Sequence, residues 1–349
     1  MSSAQSERWV TAEVAASSGA VPLVSVITPT YNRASYLEET IESVLSQGYP
    51  ALDYIVIDDG STDDTQVLLS KYAGRIRSFH QPNQGEVNAI NRGLGLAAGK
   101  ILGIVSSDDP LLPGAISRLV AALREHPQAV VAYSDWRVIG PASELIRDIA
   151  LPDYDITNML RVFQTAITSG AFFRRGLLEA IGPRDPSLKY AHDLDFWLRA
   201  ALKGEFVHVK QVLTTHREHP GCQYHSARGK RYADEIVRVV HKVFAQDNLP
   251  RDVARLRATA YSNAHALSAS FFCGSAWREQ VKHHALAIMY RPVQHTRLLA
   301  HLVPRYFFWF IASFVYRALP RRLKELARRL FHFVWRRKTS AAGSDSPSQ

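Results

Sequence analysis

A chain of 349 residues with 46% hydrophobic and 21% charged side chains has globular composition, which excludes a disordered or fibrous protein and leaves room for a large core plus an appendage. Its only cysteines are Cys222 and Cys273, so a disulfide framework is excluded and a reducing compartment is expected. The net charge of +10 is concentrated: nine Lys and Arg between Arg317 and Lys338 face Glu325 alone, and a nucleic-acid-binding body with its own basic stripe is not expected.

Residues 1–21 are rich in Ser and Ala, contain Glu7, Arg8 and Glu13, and read as a disordered leader rather than a signal peptide. Leu23–Thr28 predicts a strand. Leu37, Ile41, Val44 and Leu45, spaced i, i+4, i+7 and i+8, predict an amphipathic helix. Tyr54–Ile57 follows as a strand and Thr65–Tyr72 as a short helix. Glu86–Ala97 is helical, Ile101–Val105 a third strand, Ala115–Arg124 a helix and Ala129–Tyr133 a fourth strand. Strands separated by helices require crossovers, hence an α/β fold with a mostly parallel sheet covered on both faces. Ligands of such sheets bind beyond the carboxyl ends of the strands.

After Ala150 the pattern loosens. Ala171–Phe173 reads as a strand and Gly176–Ile181 as a helix, and Leu194, Trp197, Leu198, Ala201 and Leu202 mark another helix. The division expected is an α/β domain over 22–229, a helical region over 230–338 and a disordered tail over 339–349. The most apolar run, Tyr306–Tyr316, is eleven residues long, short of the roughly 17–25 that span a bilayer.

Gly93–Ala98 matches the dinucleotide pattern GxGxxA, but it closes a helix and precedes a strand, the reverse of what pyrophosphate binding needs. Asp58 and Asp59 end a strand and run into Gly60-Ser61-Thr62-Asp63-Asp64-Thr65. Turn formation and N-capping account for Ser61 to Asp64. Adjacent carboxylates repel unless a cation or donor lies between them, and Asp58 could accept the imide N–H of a uracil ring. Ser106-Ser107-Asp108-Asp109-Pro110 follows the next strand, so both acidic pairs are expected in one crevice. Their oxygens suit a hard divalent cation that also binds diphosphate.

Asp193 begins a helix, where it can serve as a cap or as a general base for an incoming hydroxyl. Asp195 and Arg199, four apart, are expected as a surface pair. His216, His219 and His225 crowd one stretch, and the sequence does not choose a ligand among them.

Together these segments resemble the family 2 inverting glycosyltransferases of the GT-A fold. The resemblance is carried by Val24–Arg33, Ile57–Thr65, Gln84-Gly85 with Asn88–Gly93, Ser106–Asp109, Phe172–Arg175 and Tyr190–Arg199, and covers about 22–222. It implies that Pro29, Thr30, Tyr31, Asn32 and Asp58 border the nucleoside, with Asp59 near the ribose and diphosphate. Asn88, Asn91 and Ser107 complete that surface, and Gly170 lets a loop approach the sugar. The resemblance makes Asp108 a ligand of Mn2+ or Mg2+, joined by His219, and Asp193 the catalytic base. Two departures stand out. Ser106 replaces the opening carboxylate of the family's Asp-x-Asp motif, and His192 precedes the base where an acidic residue is usual.

The function implied is transfer of a sugar from a nucleotide-sugar donor, UDP-linked, to a saccharide or lipid-linked acceptor in surface polysaccharide or glycolipid assembly. The alternative is a catalytically inactive nucleotide-sugar-binding or scaffold protein of a membrane assembly, in line with Ser106. Beyond the aromatic run, Leu323, Leu326, Ala327, Leu330, Phe331 and Val334 recur at helical spacing among arginines. This pattern suits an interfacial helix on an anionic membrane, and equally a stripe packed on the domain. The expected location is cytoplasmic, peripheral on the inner face of the cell membrane, with no nucleic-acid partner.

Overall fold

The computed structural model describes residues 21–163, 167, 169–219, 229–272 and 276–291. One compact unit spans Met1–Tyr290; of a second, Arg291–Gln349, only Arg291 is described. The leader up to residue 20, the aromatic run, the amphipathic stretch and the tail therefore lie outside the described residues, as do Cys222, His225 and Cys273.

In chain order the elements are β1 (Val24–Thr30), α1 (Ala34–Leu45), β2 (Leu52–Asp58), α2 (Thr65–Ser70), β3 (Arg77–His80), α3 (Glu86–Leu96), β4 (Ile101–Ile104), α4 (Ala115–Glu125) and β5 (Ala129–Ile139). Then come β6 (Leu145–Ile149), α5 (Ile156–Val162), β7 (Phe172–Arg174), α6 (Arg175–Ile181), α7 (His192–Ala201) and β8 (Glu205–Arg217). Four helices follow: α8 (Lys230–Phe244), α9 (Arg251–Arg255), α10 (Arg257–Ser270) and α11 (Trp277–Tyr290).

The strands form one sheet in the order β3-β2-β1-β4-β7-β5-β6, with β8 paired to β5. Pairing is parallel from β3 through β4, and β5 with β8 is parallel too. The short β7 is antiparallel to both β4 and β5, and β6 is antiparallel to β5. The mostly parallel α/β sheet covered on both faces is thus found. Side-chain alternation builds the two layers. Along β2, Tyr54 and Val56 point into the core beneath α1, α2 and α4, while Ile55 and Ile57 point into the other, with α3, α7 and α8. Ile236, Val239, Val240 and Val243 of α8 lie in that second core together with Phe196 and Trp197 of α7.

The first of the dinucleotide-like glycines has a packing reason, whereas Gly95 faces open space. A Cβ on Gly93 would come within 2.4 Å of Ile27 Cγ2, so glycine lets α3 lie directly on β1. Four elements lack a sequence signal. β3, β6 and α5 are short, and the outer strands β3 and β6 are mostly exposed. β8 carries His208, Lys210, Gln211, Thr214 and Thr215, and its pairing with β5 is broken by register shifts, so no clean alternation marks it. No helix among the described residues is long and apolar enough to cross a membrane.

Candidate active site

The carboxyl ends of β1, β2 and β4 form one edge, and the loops there carry most of the singled-out residues. After β1, Asn32 adopts a left-handed φ of +51°, which asparagine tolerates. Its amide donates to Ser61 Oγ at 2.9 Å and its Oδ1 accepts from the Thr62 amide at 2.7 Å, locking this turn to the one after β2. Pro29 and Thr30 are buried, and Tyr31 stands 45% exposed. Thr30 Oγ1 is buried and makes no hydrogen bond among the described residues.

The adjacent carboxylates diverge. Asp58 Oδ1 accepts from the Ser61 amide and Oδ2 pairs with His80 Nδ1, both at 2.9 Å. Asp59 turns to the loop before α3, accepting from Gln81 Nε2 at 2.7 Å, the Gln84 amide at 3.0 Å and the Gly85 amide at 2.8 Å. Separate donors thus relieve the repulsion between neighbours. On α3, Asn88 Nδ2 donates to the Gln84 carbonyl, and Asn91 bonds both the amide and the carbonyl of Arg184.

The second acidic pair is gathered by β8. Asp108 Oδ2 lies 3.0 Å from His219 Nε2 and 3.6 Å from Arg33 Nε, and the His219 ring packs on Tyr36 with centroids 4.9 Å apart. Asp109 Oδ1 accepts from the Arg217 amide at 2.9 Å and lies 3.7 Å from His216 Nδ1. Burial, with the Asp109 charge, pushes the Asp108 carboxyl above the usual carboxylate range against the opposing pull of His219 and Arg33. Burial pulls His216 down, but its pairing with Asp109 and the other nearby carboxylate charges outweigh that and leave it raised. Ser107 is buried with its carbonyl bonded to Thr40, and the Ser106 amide donates to Ser169 Oγ.

Arg217 is the residue that sequence reading passed over. Its side chain is wholly buried: Nε donates to the Asp108 carbonyl at 2.9 Å, Nη1 to the Gly140 carbonyl at 3.0 Å and Ser143 Oγ at 2.9 Å, and Nη2 to Glu39 Oε2 at 2.6 Å. The available signal was an arginine lying between His216 and His219 at the end of an unrecognised strand. Gly170, next to Ser169, has φ +86°, and a Cβ there would meet Thr214 Cγ2 at 2.5 Å and Leu111 Cδ2 at 3.0 Å. Backbone conformation and packing both call for this glycine.

The donor set of Asp108 and His219 fits a divalent cation. Two ligand atoms 3.0 Å apart match the separation of neighbouring positions on an octahedral ion with bonds of about 2.1 Å. Among the described residues no group of three such side chains forms, so further positions would fall to diphosphate oxygens and water.

Asp193 sits in the first turn of α7, half-buried, with Oδ1 accepting from the Leu194 amide at 2.7 Å. Its neighbour His192 is held by Arg184 Nη1 at 2.9 Å from Nδ1. Arginine only donates, so Nδ1 carries the lone pair and Nε2 the proton, which faces Glu86 Oε2 at 3.8 Å. Glu86 directly follows the loop that Asp59 clamps, so the first turn of α7 lies beside the first turn of α3. Asp195 corrects the expected surface pair: it is 2% exposed and bonds both Arg199 at 2.8 Å and Lys242 at 2.6 Å. Its partner four residues on is only half the arrangement, because Lys242 arrives from α8.

Comparison with known proteins gives one family and one fold. Residues 25–182 match the model described as glycosyl transferase family 2. An uncharacterised glycosyltransferase of Rickettsia prowazekii is 30% identical over 206 residues, 57% of this chain and 64% of that one. A hyaluronan synthase of Pasteurella multocida is 29% identical over 198 residues, 55% of this chain and 20% of its own length. The chain thus spans less than two thirds of these relatives. Among solved structures, S. aureus TarS 1-349 in complex with UDP-GlcNAc has a TM-score of 0.63 at 19% identity, covering 77% of this chain and 81% of that one. A mannosyltransferase from Pyrobaculum calidifontis in complex with GDP-Man and Mn2+ has a TM-score of 0.56 at 23% identity, over 83% of this chain and 84% of that one. With this sheet order and these loops, residues 25–182 form a glycosyl transferase family 2 domain on the GT-A fold.

Proposed function

We propose that this chain is an inverting glycosyltransferase, dependent on Mn2+ or Mg2+, that moves a sugar from a UDP-linked donor to a hydroxyl of a saccharide or lipid-linked acceptor. The observation that carries the reading is the meeting of Asp108 with His219, 111 residues apart in the chain, at 3.0 Å. They meet on the sheet edge that also holds Asp58, Asp59 and the Thr30 hydroxyl, which has no partner among the described residues. Relatives named as hyaluronan and chondroitin synthases, and fold neighbours bound to UDP-GlcNAc and GDP-Man, support a nucleotide-sugar donor and a polysaccharide product.

Each Asp58 oxygen spends one lone pair on Ser61 or His80, which leaves acceptor capacity for the imide N–H of uracil. The exposed Tyr31 ring offers a face for the base. Asp108 and His219 would hold a divalent ion, which would neutralise the charge growing on the departing diphosphate. Asp193 takes the proton of the acceptor hydroxyl as its oxygen attacks the anomeric carbon opposite the diphosphate. One bond forms, the bond to the diphosphate oxygen breaks, and the configuration inverts.

The basic and aromatic stretch 306–338 fits contact with an anionic membrane, which would place the protein on the cytoplasmic face beside a lipid-linked acceptor in surface polysaccharide or glycolipid assembly. Calorimetric titration with UDP, dTDP and GDP, each with and without Mn2+, tests the proposal. Metal-dependent binding of one diphosphate, lost in Asp108→Ala, is expected. No binding by the folded protein would refute it and leave the non-catalytic scaffold that Ser106 allows.

A further inference from the structure

The family match ends at residue 182, yet the backbone leading into Asp193 is held from beyond it. Glu235, on α8, is 3% exposed. Its Oε1 accepts from the Lys189 amide at 3.0 Å and from Arg231 Nε at 3.1 Å. Its Oε2 accepts from the Tyr190 amide at 2.7 Å and the Ala191 amide at 3.1 Å. These amides lead into α7, whose N-cap, Ala191, has no side-chain acceptor of its own. A helix start of this kind leaves donors that need a partner, and here a glutamate 44 residues on supplies it.

Four donors occupy the roughly four acceptor sites of one carboxylate, so Glu235 has no capacity left for proton transfer of its own. Burial raises its pKa, but the three amides and Arg231 outweigh burial and hold it below the usual value, so the clamp stays ionised.

We infer that Glu235 is a positioning residue for the transfer reaction: its carboxylate fixes the 189–191 backbone and so aims Asp193, two residues further on, at the acceptor hydroxyl. This rests on Asp193 being the base. The working catalytic unit then includes α8, and the packing of Ile236, Val239 and Val240 against the α7 core sets where the clamp stands. Displacing a reacting group by about 1 Å costs on the order of 100-fold in rate, so the clamp acts on turnover rather than on donor binding.

The test uses the full-length protein with Mn2+ and UDP-N-acetylglucosamine, UDP-glucose and UDP-galactose, following UDP release with water standing in for the acceptor. Glu235→Gln puts an N–H2 among N–H donors without changing volume. It is expected to lower kcat about 10- to 100-fold, leave the donor KM within twofold and speed hydrogen exchange at the amides of 189–191. In an Asp193→Asn background the same substitution is expected to change nothing further, because the group it aims is gone. Wild-type kcat in Glu235→Gln, or an undiminished rate loss in the Asp193→Asn background, would overturn the inference. Wild-type turnover by Asp193→Asn alone would instead sink the assignment of the base, a separate failure. If Glu235→Gln does not fold, Glu235→Asp, which keeps the charge and shortens the reach, is read the same way. Wild-type exchange at 189–191 as fast as in an unstructured peptide overturns the clamp regardless of any variant.

Discussion

Replacing Arg217 by Met tests whether one buried guanidinium organises the acidic loop. The substitution keeps an unbranched, apolar stem of similar length and removes every donor. It orphans the Asp108 carbonyl, now bonded at 2.9 Å, and removes the 2.6 Å partner of Glu39, while the Gly140 carbonyl keeps the Ser143 amide at 3.0 Å and Glu39 keeps the Ser143 hydroxyl. The buried unsatisfied Asp108 carbonyl costs about 1–2 kcal/mol, and the second bond lost at the Gly140 carbonyl adds about 1 kcal/mol or less. Glu39 is 45% exposed and rehydrates, so its share is under about 1 kcal/mol. Packing of the methionine on Tyr36, where the guanidinium now sits 4.9 Å from the ring centroid, recovers part of the loss. The expected destabilisation is about 2 kcal/mol, within the reach of a domain whose total stability is about 5–15 kcal/mol. Urea denaturation of the variant and the parent reads it as a shift in midpoint at constant m. Calorimetry of the still-folded variant should show Mn2+-dependent UDP affinity down by at least about tenfold, since 1.4 kcal/mol of loop disorder suffices for that. A destabilisation below about 1 kcal/mol with unchanged affinity would refute the reasoning and reduce Arg217 to a passive packing group.

Two further outcomes follow from local geometry. Gly170→Ala combines a φ of +86° with a Cβ 2.5 Å from Thr214 Cγ2, so a loss of about 2 kcal/mol is expected by urea denaturation, and a change under about 0.5 kcal/mol would show that the loop shifts freely. Burial, reinforced by the charges of His283 and Lys282, pulls His265 down to about 4 from its ordinary 6.5. The unfolded chain then binds more protons than the folded one between those values. Stability present above pH 6.5 is lost as pH falls toward 4, by about 1–2 kcal/mol after allowance for solvent screening. Urea midpoints at pH 7.5 and pH 5 should differ in that direction, and His265→Gln should flatten the difference; an unchanged slope in the variant would point to other groups.

Several elements are legible because their signal is local. The apolar runs at Leu23–Thr28 and Tyr54–Ile57, with an amphipathic helix between, point to an α/β sheet, since a strand buried on both faces is apolar over most of its length. Acidic pairs placed directly after strands mark the ligand edge for the same reason of topology. The GxGxxA look-alike is rejected on element order alone, and the structure explains its first glycine by contact with Ile27.

What sequence could not determine is which distant groups meet. β8 has no alternating pattern, so nothing local indicates that it pairs with β5 and carries His219 to Asp108. Asp195 and Arg199 look like a solvent pair at helical spacing until Lys242 closes the site from α8. Nothing local distinguishes Arg217 and Glu235 from the exposed charges that such residues usually are. Burial changes their meaning: in a low-dielectric interior each must find several partners, and those partners, at 140 and 143 for one and 189–191 for the other, are chosen by chain packing rather than by spacing. Periodicity determined the layers and the edge where a ligand binds, whereas the pairing of buried charges was decided only by the tertiary structure, because hydrophobic period is a property of neighbours along the chain and charge satisfaction a property of neighbours in space.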